Sequence, residues 1–367
     1  MYSVRGILMS KSIGEIDKNL KIETKLDLKD VRWYNVRSAP FTIYGLYNPQ
    51  EPGYFRRMPT EIAEQVNDGV AHLHKHTSGG RVRFGTNSPY IAIKAVMPEG
   101  FHPMGHMTLT GSSGFDLYIV EDGEDVFRSS YVPAHGSVGG YESVLHLADG
   151  GMRDALIHFP LYDGFTELYI GLAEDAELDE GKRYKDCKPI LYYGSSITQG
   201  GCASRPGNGY SNIVSRLLNV DHINLGFSGS ARAEEIMVDY LATLDVSAFV
   251  CDYDHNAPNP EHLQATHKPL YERFRATHPD TPILFLTKPD IRPGNEYNSR
   301  RRAIVRKTYE DALAAGDKNV AFIDGETFFL GACRFDCTVD GCHPNDIGFL
   351  RMAIPVAEKL RELLGLN

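Results

Sequence analysis

The sequence predicts two domains, an antiparallel β-sandwich followed by a three-layer α/β domain with a five-stranded parallel sheet. Up to about residue 180, apolar and polar residues alternate over short stretches, which is typical of half-buried antiparallel strands. From Pro189 onward, strand-length apolar runs alternate with longer segments of helical spacing, which indicates a parallel sheet covered by helices. The length of 367 residues suits two domains of about 100–200 residues each. We therefore predict domains at residues 1–180 and 181–367.

Glycine and proline turns separate the alternating stretches of the first domain, and their close spacing favours an antiparallel sandwich. The clearest stretches are 82–84, 90–96, 115–119 and 168–172. One longer segment, 59–74, has helical spacing instead. The segment 174–188 is crowded with charges, so we expect a solvated linker there.

The second domain is predicted to contain five strand-and-helix units. The predicted strands are 190–193, 222–225, 248–252, 283–286 and 320–323. The predicted helices are 210–218, 233–244, 260–277, 298–315 and 346–364. The last helix carries a broad apolar stripe, which predicts that it packs on the sheet.

Composition and charge exclude several classes of partner. The 38 Lys and Arg residues against 48 Asp and Glu residues give a net charge of −10, which opposes binding to nucleic acid. No window approaches the roughly 18–20 apolar residues of a membrane span, so we expect no membrane partner. Residues 1–30 have no apolar core of a secretory signal, which favours a cytoplasmic protein. A chain whose signal had been removed would give the same pattern and would be secreted or periplasmic.

Neither a metal nor a cofactor is predicted. The six cysteines lie in the second half without a CxxC pair, so we expect reduced thiols. Cys333, Cys337, Cys342 and His343 lack a second matched pair with zinc-ligand spacing, and structural thiols are the better interpretation. Nicotinamide, flavin and phosphate-loop motifs are likewise missing from the sequence.

Four polar segments fall at the carboxyl ends of predicted strands or on the same rim. The first contains Ser196, and the second and third contain Gly229 and Asn256. The fourth contains Asp340 and His343. Ligands of open parallel sheets bind at this edge, and a serine, amide donors and an Asp/His pair are the groups that acyl transfer needs.

These segments resemble the blocks of the SGNH (GDSL-type) hydrolases, in the order Ser, Gly, Asn and Asp-x-x-His, over about residues 188–365. The run 114–118, Gly-Phe-Asp-Leu-Tyr, resembles the GxDLY signature of the β-sandwich that precedes some bacterial members. The resemblance implies a flavodoxin-like catalytic domain after a jelly-roll-like one. Where many members have Gly-Asp-Ser, this chain has Gly194-Ser195-Ser196.

The resemblance implies a role for each matching residue. Ser196 would be the nucleophile, His343 its general base and Asp340 the residue that orients His343. The N–H groups of Ser196 and Gly229 and the amide of Asn256 would form the oxyanion hole. His255 is an alternative base, but it has no match in the family pattern. Four more residues lie near this rim and are candidate substrate contacts, with solvated surface charges as the alternative: Arg205, Arg232, Lys288 and Asp290.

We therefore expect a serine esterase that hydrolyses a small acyl ester, acetyl foremost, on a small molecule or a carbohydrate. An acyltransferase using the same acyl-enzyme and a non-catalytic glycan-binding protein are the alternatives. The first domain is expected to pack against the hydrolase domain, with a sugar-binding surface as the other possibility. Aromatic residues that look exposed and suited to such a surface are Trp33, Tyr34, Tyr44, Tyr47, Tyr54 and Phe55. Aromatic residues in strands are more often core residues, which is the alternative interpretation. The oligomeric state is left open.

Overall fold

The computed structural model describes residues 26–134, 136–148, 150–292 and 294–366. Within this part of the chain, the predicted fold class is confirmed: two antiparallel sheets precede one five-stranded parallel sheet. None of the helices described is long and apolar enough to cross a membrane.

The antiparallel sheets face each other as a sandwich. Their strands are β1 (Val31–Asn35), β2 (Thr42–Tyr44), β3 (Arg81–Thr86), β4 (Tyr90–Met97), β5 (Phe115–Glu121), β6 (Glu124–Tyr131), β7 (Gly139–His146), β8 (Arg153–His158), β9 (Glu167–Ala173) and β10 (Leu178–Asp179). One sheet has the order β1-β9-β4-β7, and the other has the order β10-β3-β8-β5-β6 with β2 on β3. Side chains from both sheets fill the core between them, including Phe84, Ile93, Phe115 and Leu168.

Two expectations about this region are corrected. The charged segment 174–188 is not only a linker, because Leu178 and Asp179 pair with β3 and Leu178 packs on the sandwich core. The aromatic residues are also less exposed than expected. Phe55 is a core residue with 1% of its surface exposed, and the other five aromatics are half-buried.

The predicted helical segment 59–74 forms two helices, α1 (Thr60–Val66) and α2 (Asp68–Leu73), followed later by α3 (Leu109–Ser112). The break falls at Asn67, whose extended backbone ends α1 and whose side chain accepts a hydrogen bond from Val70 N–H at 2.9 Å. The buried sides of α1 and α2 pack on the parallel sheet rather than within the sandwich.

The parallel sheet contains β11 (Ile190–Gly194), β12 (His222–Gly226), β13 (Ala248–Asp252), β14 (Ile283–Leu286) and β15 (Val320–Ile323), in the order β12-β11-β13-β14-β15. Its helices are α4 (Ser196–Gln199), α5 (Tyr210–Leu218), α6 (Glu235–Leu241), α7 (Pro260–Thr277), α8 (Glu296–Ala314) and α9 (Asp346–Leu363). Helices α5 and α9 cover one face, and α6, α7 and α8 cover the other together with α1 and α2. Gly194 is level with Gly226 and Asp252, so the three adjacent strands β12, β11 and β13 end at one rim.

Candidate active site

Ser196 is the first residue of α4, two residues after the end of the interior strand β11. The turn between them needs glycine at position 194, because a Cβ there would collide with the Thr198 hydroxyl and the Asp252 carbonyl. The Ser195 hydroxyl accepts a hydrogen bond from Ile197 N–H at 3.1 Å and so caps the helix. Serine and aspartate are both favoured cap residues, so Ser195 provides locally what an aspartate could provide at this position.

Ser196, His343 and Asp340 form a continuous chain of hydrogen bonds. The distance from Ser196 Oγ to His343 Nε2 is 2.9 Å, and that from His343 Nδ1 to Asp340 Oδ2 is 2.7 Å. This order of nucleophile, imidazole and carboxylate is the arrangement in which the imidazole can take the serine proton.

The carboxylate of Asp340 is fixed by its own turn. Its Oδ1 accepts the backbone N–H groups of Cys342, at 2.9 Å, and His343, at 2.7 Å. Partial burial raises the pKa of Asp340, but the hydrogen bonds from the side chain and backbone of His343 and the backbone of Cys342 outweigh it and hold the pKa at about 2. Asp340 is therefore ionised near neutral pH and can stabilise a positive imidazolium.

The three expected oxyanion donors lie on segments that are bonded to each other. Phe227 N–H donates to Gly194 O at 2.8 Å, and Asn256 Nδ2 donates to Phe227 O at 2.7 Å. The second amide hydrogen of Asn256 is left for another acceptor. Gly229 has φ of +68°, a conformation that favours glycine, and apart from its chain neighbours no described residue has an atom within 4 Å of the Cβ position. Ser196 N–H begins a helix and so has no acceptor within it.

Sequence reasoning missed a buried support beneath α4. Asp252 Oδ2 accepts hydrogen bonds from the hydroxyls of Thr198 and Tyr210, both at 2.8 Å. Burial, with a smaller repulsion from Asp254, raises the pKa of Asp252 to about 7. An acidic residue at the end of an otherwise apolar central strand is the signal that could have identified it.

Residues from the N-terminal half also hold α4. Tyr162 donates its hydroxyl proton to Ser196 O at 3.3 Å, and Ser78 donates to Gln199 O at 2.6 Å. The ring of His106 lies 5.7 Å from the ring of His343, centroid to centroid. The sequence carries no local signal for these contacts, because they join segments far apart in the chain.

The four candidate substrate contacts differ in how strongly their side chains are bonded to other groups of the protein. The Arg205 side chain donates to Asp116 Oδ2 at 3.0 Å, and its guanidinium lies over the Phe127 ring. Asp290 is buried and accepts from Arg292 N–H and the Asn298 amide.

Arg232 and Lys288 make weaker or backbone-only contacts. Arg232 is exposed, and its guanidinium donates to the carbonyl of the oxyanion candidate Gly229 at 3.3 Å. Lys288 uses its backbone N–H, which donates to Asp254 Oδ2 at 3.2 Å. Neither contact occupies all the donors of these two cationic side chains.

His255 does not contact Ser196. Its Nε2 is paired with Cys342 Sγ at 3.2 Å, and burial lowers the pKa of His255 to about 3. His343, in contrast, points directly at the serine hydroxyl.

A group of side chains that shares His343 with the candidate triad could hold a metal ion. In the described part of the chain, ligand atoms of His106, Cys202 and His343 lie within 4.8 Å of one another, whereas Cys333, Cys337 and Cys342 do not form such a group. Burial raises the pKa of Cys202 to about 12, so that residue is a thiol near neutral pH.

Comparisons with known proteins agree with this architecture. The sequence profile of the GDSL-like lipase/acylhydrolase family matches residues 187–361, and that of the GxDLY N-terminus of SGNH hydrolase-type esterases matches residues 31–178. No curated protein matches the chain in sequence.

Solved structures resemble almost the whole chain. A candidate GDSL-like lipase from Bacteroides ovatus is 32% identical, covering 92% of this chain and 99% of its own, with a TM-score of 0.82. A salicylyl-acyltransferase from a tetracycline biosynthetic pathway is 19% identical, with a TM-score of 0.73. The match covers 92% of this chain and 99% of the acyltransferase chain. A family two carbohydrate esterase from Clostridium thermocellum, in complex with cellohexaose, is 16% identical, covering 89% and 99%, with a TM-score of 0.61.

The last two structures show the fold alone, whereas the first shows the family. The chain is therefore a carboxylic ester hydrolase that belongs to the GDSL-like lipase/acylhydrolase family and carries an N-terminal GxDLY domain.

Proposed function

We propose that the chain hydrolyses a small acyl ester, acetyl foremost, on a carbohydrate, through an acyl-enzyme on Ser196. The observation that carries this proposal is the hydrogen-bonded chain from Ser196 Oγ through His343 to Asp340.

In the first half of the reaction, Ser196 Oγ attacks the ester carbonyl carbon while His343 Nε2 takes the hydroxyl proton. Asp340 stabilises the imidazolium that forms. The negative charge on the tetrahedral oxygen is received by the N–H groups of Ser196 and Gly229 and by the Asn256 amide. His343 then returns the proton to the leaving alcohol.

In the second half, water takes the place of the alcohol. His343 removes a proton from the water as its oxygen attacks the acyl carbon. The proton then passes to Ser196 Oγ as the carboxylic acid leaves. No cofactor takes part in either half.

Two observations support the substrate class. His106 lies beside His343, and Tyr162 is bonded to the backbone carbonyl of Ser196; the presence of these N-terminal side chains next to the candidate triad supports a short acyl group. A solved structure of the same fold is a carbohydrate esterase complexed with cellohexaose, which supports a sugar as the alcohol.

We also propose that the two domains are residues 1–180 and 181–367. Strand β10 ends at Asp179 and β11 begins at Ile190, which supports a boundary between them. The N-terminal domain would then complete the wall beside the triad.

The first test is hydrolysis of p-nitrophenyl acetate and of longer acyl esters by the wild type and by Ser196→Ala, with Ser129→Ala in strand β6 as the control. We expect activity in the wild type and the control alone, and a decline as the acyl chain lengthens. Equal rates for wild type and Ser196→Ala would show that Ser196 is not the nucleophile.

A second test uses acetylated oligosaccharides with and without added alcohols. Release of acetate into water supports the esterase. Acyl transfer to the alcohol, with no acid released, would instead make the protein an acyltransferase. Glycan binding without turnover, unchanged in Ser196→Ala, would make it a binding protein.

A further inference from the structure

Three soft ligand groups from three separate segments meet beside the candidate triad. His106 comes from the loop before α3, Cys202 from the loop after α4 and His343 from the turn before α9. Their ligand atoms all lie within 4.8 Å of one another. A tetrahedral zinc ion holds its sulfur and nitrogen ligands about 3.3–3.6 Å apart, so small side-chain rotations would close the site. The ring of His106 is exposed, so solvent rather than close packing surrounds much of it.

The backbone at Cys202 is an independent indication of a role for its side chain. Cys202 has φ of +76°, in the left-handed region that is unfavourable for a residue with a Cβ. Glycine would adopt this conformation without strain, and the two preceding residues are glycines. The chain nevertheless places a buried thiol here, and strained residues of this kind cluster at functional sites.

The loop that carries Cys202 approaches His343 on the side of its Nε2 atom. A Cβ added at Gly201 would lie 3.5 Å from Cδ2 of His343, the carbon bonded to Nε2. The other ring nitrogen, Nδ1, is bonded to Asp340. Nε2 is therefore the nitrogen that His343 can offer to a metal ion.

Asp340 also suits a metal site. A histidine that binds a metal almost always gives its second ring N–H to a carboxylate or carbonyl, which fixes the ring and strengthens it as a ligand. The contact of 2.7 Å between His343 Nδ1 and Asp340 Oδ2 meets this condition. In the free protein, His343 can thus be the general base that Asp340 orients. In the metal-bound protein, the same His343 can be a ligand whose ring Asp340 fixes.

We propose that His106, Cys202 and His343 bind a thiophilic divalent cation of the Zn²⁺ type, and that this binding reversibly inhibits the esterase activity. The Cys202 thiol proton passes to the buffer as the sulfur binds the metal. The lone pair of His343 Nε2 is then shared with the metal and cannot accept the Ser196 proton. The inhibition rests on the proposed function, whereas the metal binding does not.

The binding is tested on the metal-free full chain with Co²⁺, a spectroscopic substitute for Zn²⁺. We expect a near-ultraviolet thiolate-to-cobalt band and strong visible bands of tetrahedral cobalt, both removed by added Zn²⁺. Cys202→Ser should abolish the thiolate band, and His106→Asn should weaken binding about tenfold or more. The double variant Cys187→Ser/His146→Gln alters an exposed thiol and an exposed imidazole elsewhere and is the control.

The inhibition is tested by measuring hydrolysis of p-nitrophenyl acetate, and each variant is compared with its own metal-free rate. Zn²⁺ should inhibit the wild type and the control at micromolar concentration, a chelator should restore the rate, and Cys202→Ser should need at least tenfold more Zn²⁺. The site would be overturned if the wild type gave no thiolate-to-cobalt band, or if the band persisted in Cys202→Ser. It would also be overturned if the control variant lost the band to the same extent as Cys202→Ser. If Zn²⁺ inhibited Cys202→Ser as strongly as the wild type, the proposed inhibition through this site would be overturned.

Ser196→Ala separates this proposal from the proposed function. This variant keeps all three metal ligands, so it should bind Co²⁺ at least as tightly as the wild type. If no ester is hydrolysed, the cobalt spectra still decide whether the site exists.

Discussion

The residues of the candidate triad reach each other across 147 positions of sequence, yet each is positioned by short-range features. Ser196 is placed by a turn that requires Gly194 and by the Ser195 cap. His343 and Asp340 are held in one turn by two backbone N–H bonds to the carboxylate. Local turn chemistry thus orients each side chain, and the sheet only has to bring the two turns together.

Asn256→Ala tests the oxyanion hole. Loss of one such donor typically lowers kcat by about 100-fold or more, with a small effect on KM, because the donor acts on charge that develops in the transition state. The measurement is steady-state hydrolysis of p-nitrophenyl acetate, with thermal unfolding to check that the loop bonded to Phe227 O is intact. A folded variant with kcat within about threefold of wild type would exclude this role.

Asp252→Asn tests the buried support through the pH dependence of stability. The pKa of Asp252 is raised to about 7 in the folded state, against about 3.9 in an unfolded chain, so the folded state holds more protons between these values. The contribution of Asp252 to stability is therefore lost as the pH rises from about 4 to about 7.

Asparagine keeps an oxygen for the Thr198 and Tyr210 hydroxyls but cannot ionise. We expect Asp252→Asn to gain free energy of unfolding relative to the wild type at pH 8 but not at pH 4, as measured by urea denaturation. Asp245→Asn, at an exposed aspartate, is the control and should leave the pH profile unchanged. Parallel profiles for Asp252→Asn and wild type would refute the buried-acid interpretation.

At the scale of elements, α4 is short and depends on its surroundings. It has four residues, too few for a helix that is stable by itself. Its first turn is capped by Ser195, and Gln199 at its end is bonded to Leu161 O and to Ser228 N–H. The candidate nucleophile Ser196 therefore lies on an element whose geometry is set by side chains on both sides.

Ser195→Ala removes the cap of α4. We expect a loss of about 1 kcal/mol in stability together with a lower kcat, and Ser195→Asp should restore both, because aspartate is an equally good cap. Asn295→Ala, which removes the cap of α8 away from the triad, should cost similar stability without lowering kcat. The measurements are chemical denaturation and ester hydrolysis. If Ser195→Ala and Asn295→Ala behave alike in kcat, the cap does not position the nucleophile.

At the scale of the whole molecule, the GxDLY strand joins the two halves of the chain. Successive side chains of β5 point to opposite faces, so Phe115 and Leu117 enter the sandwich core while Asp116 faces the hydrolase half. Asp116 is fully buried and accepts bonds from Arg205 and from Gly207 N–H, on the loop that follows α4.

A buried arginine strengthens the same junction. Arg57, which precedes α1, donates to the carbonyls of Asn224 and Gly226 at the end of β12. The two halves therefore share both core and hydrogen bonds. We conclude that the N-terminal half supports the loops around the candidate nucleophile Ser196 as well as standing beside them.

Arg205→Met tests this junction. The substitution leaves the carboxylate of Asp116 buried without its cationic partner, which typically costs about 3–5 kcal/mol. We expect the double variant Asp116→Asn/Arg205→Met to recover much of that loss, because no uncompensated charge remains. The measurement is urea denaturation of Arg205→Met, Asp116→Asn, the double variant and wild type, with ester hydrolysis in parallel. Additive losses would show that the two side chains do not interact.

Much of the fold could be read from periodicity. Strands β13, β14 and β15 and helices α5 and α7 have the predicted bounds, because a buried strand or an amphipathic helix leaves its pattern in consecutive residues. Helix α6 is shorter than predicted at both ends, and the segment 59–74 breaks at Asn67, since helix ends depend on caps and packing more than on period.

The sequence by itself determined the fold class and the chemical types at the candidate site, because turn residues and strand ends are local signals. Only the tertiary structure decided that Asp252 supports α4, that Arg205 belongs to Asp116 and that His106 and Cys202 meet at His343. These contacts join segments distant in the chain, and their formation depends on how sheets and helices pack. Local periodicity carries no record of such pairings.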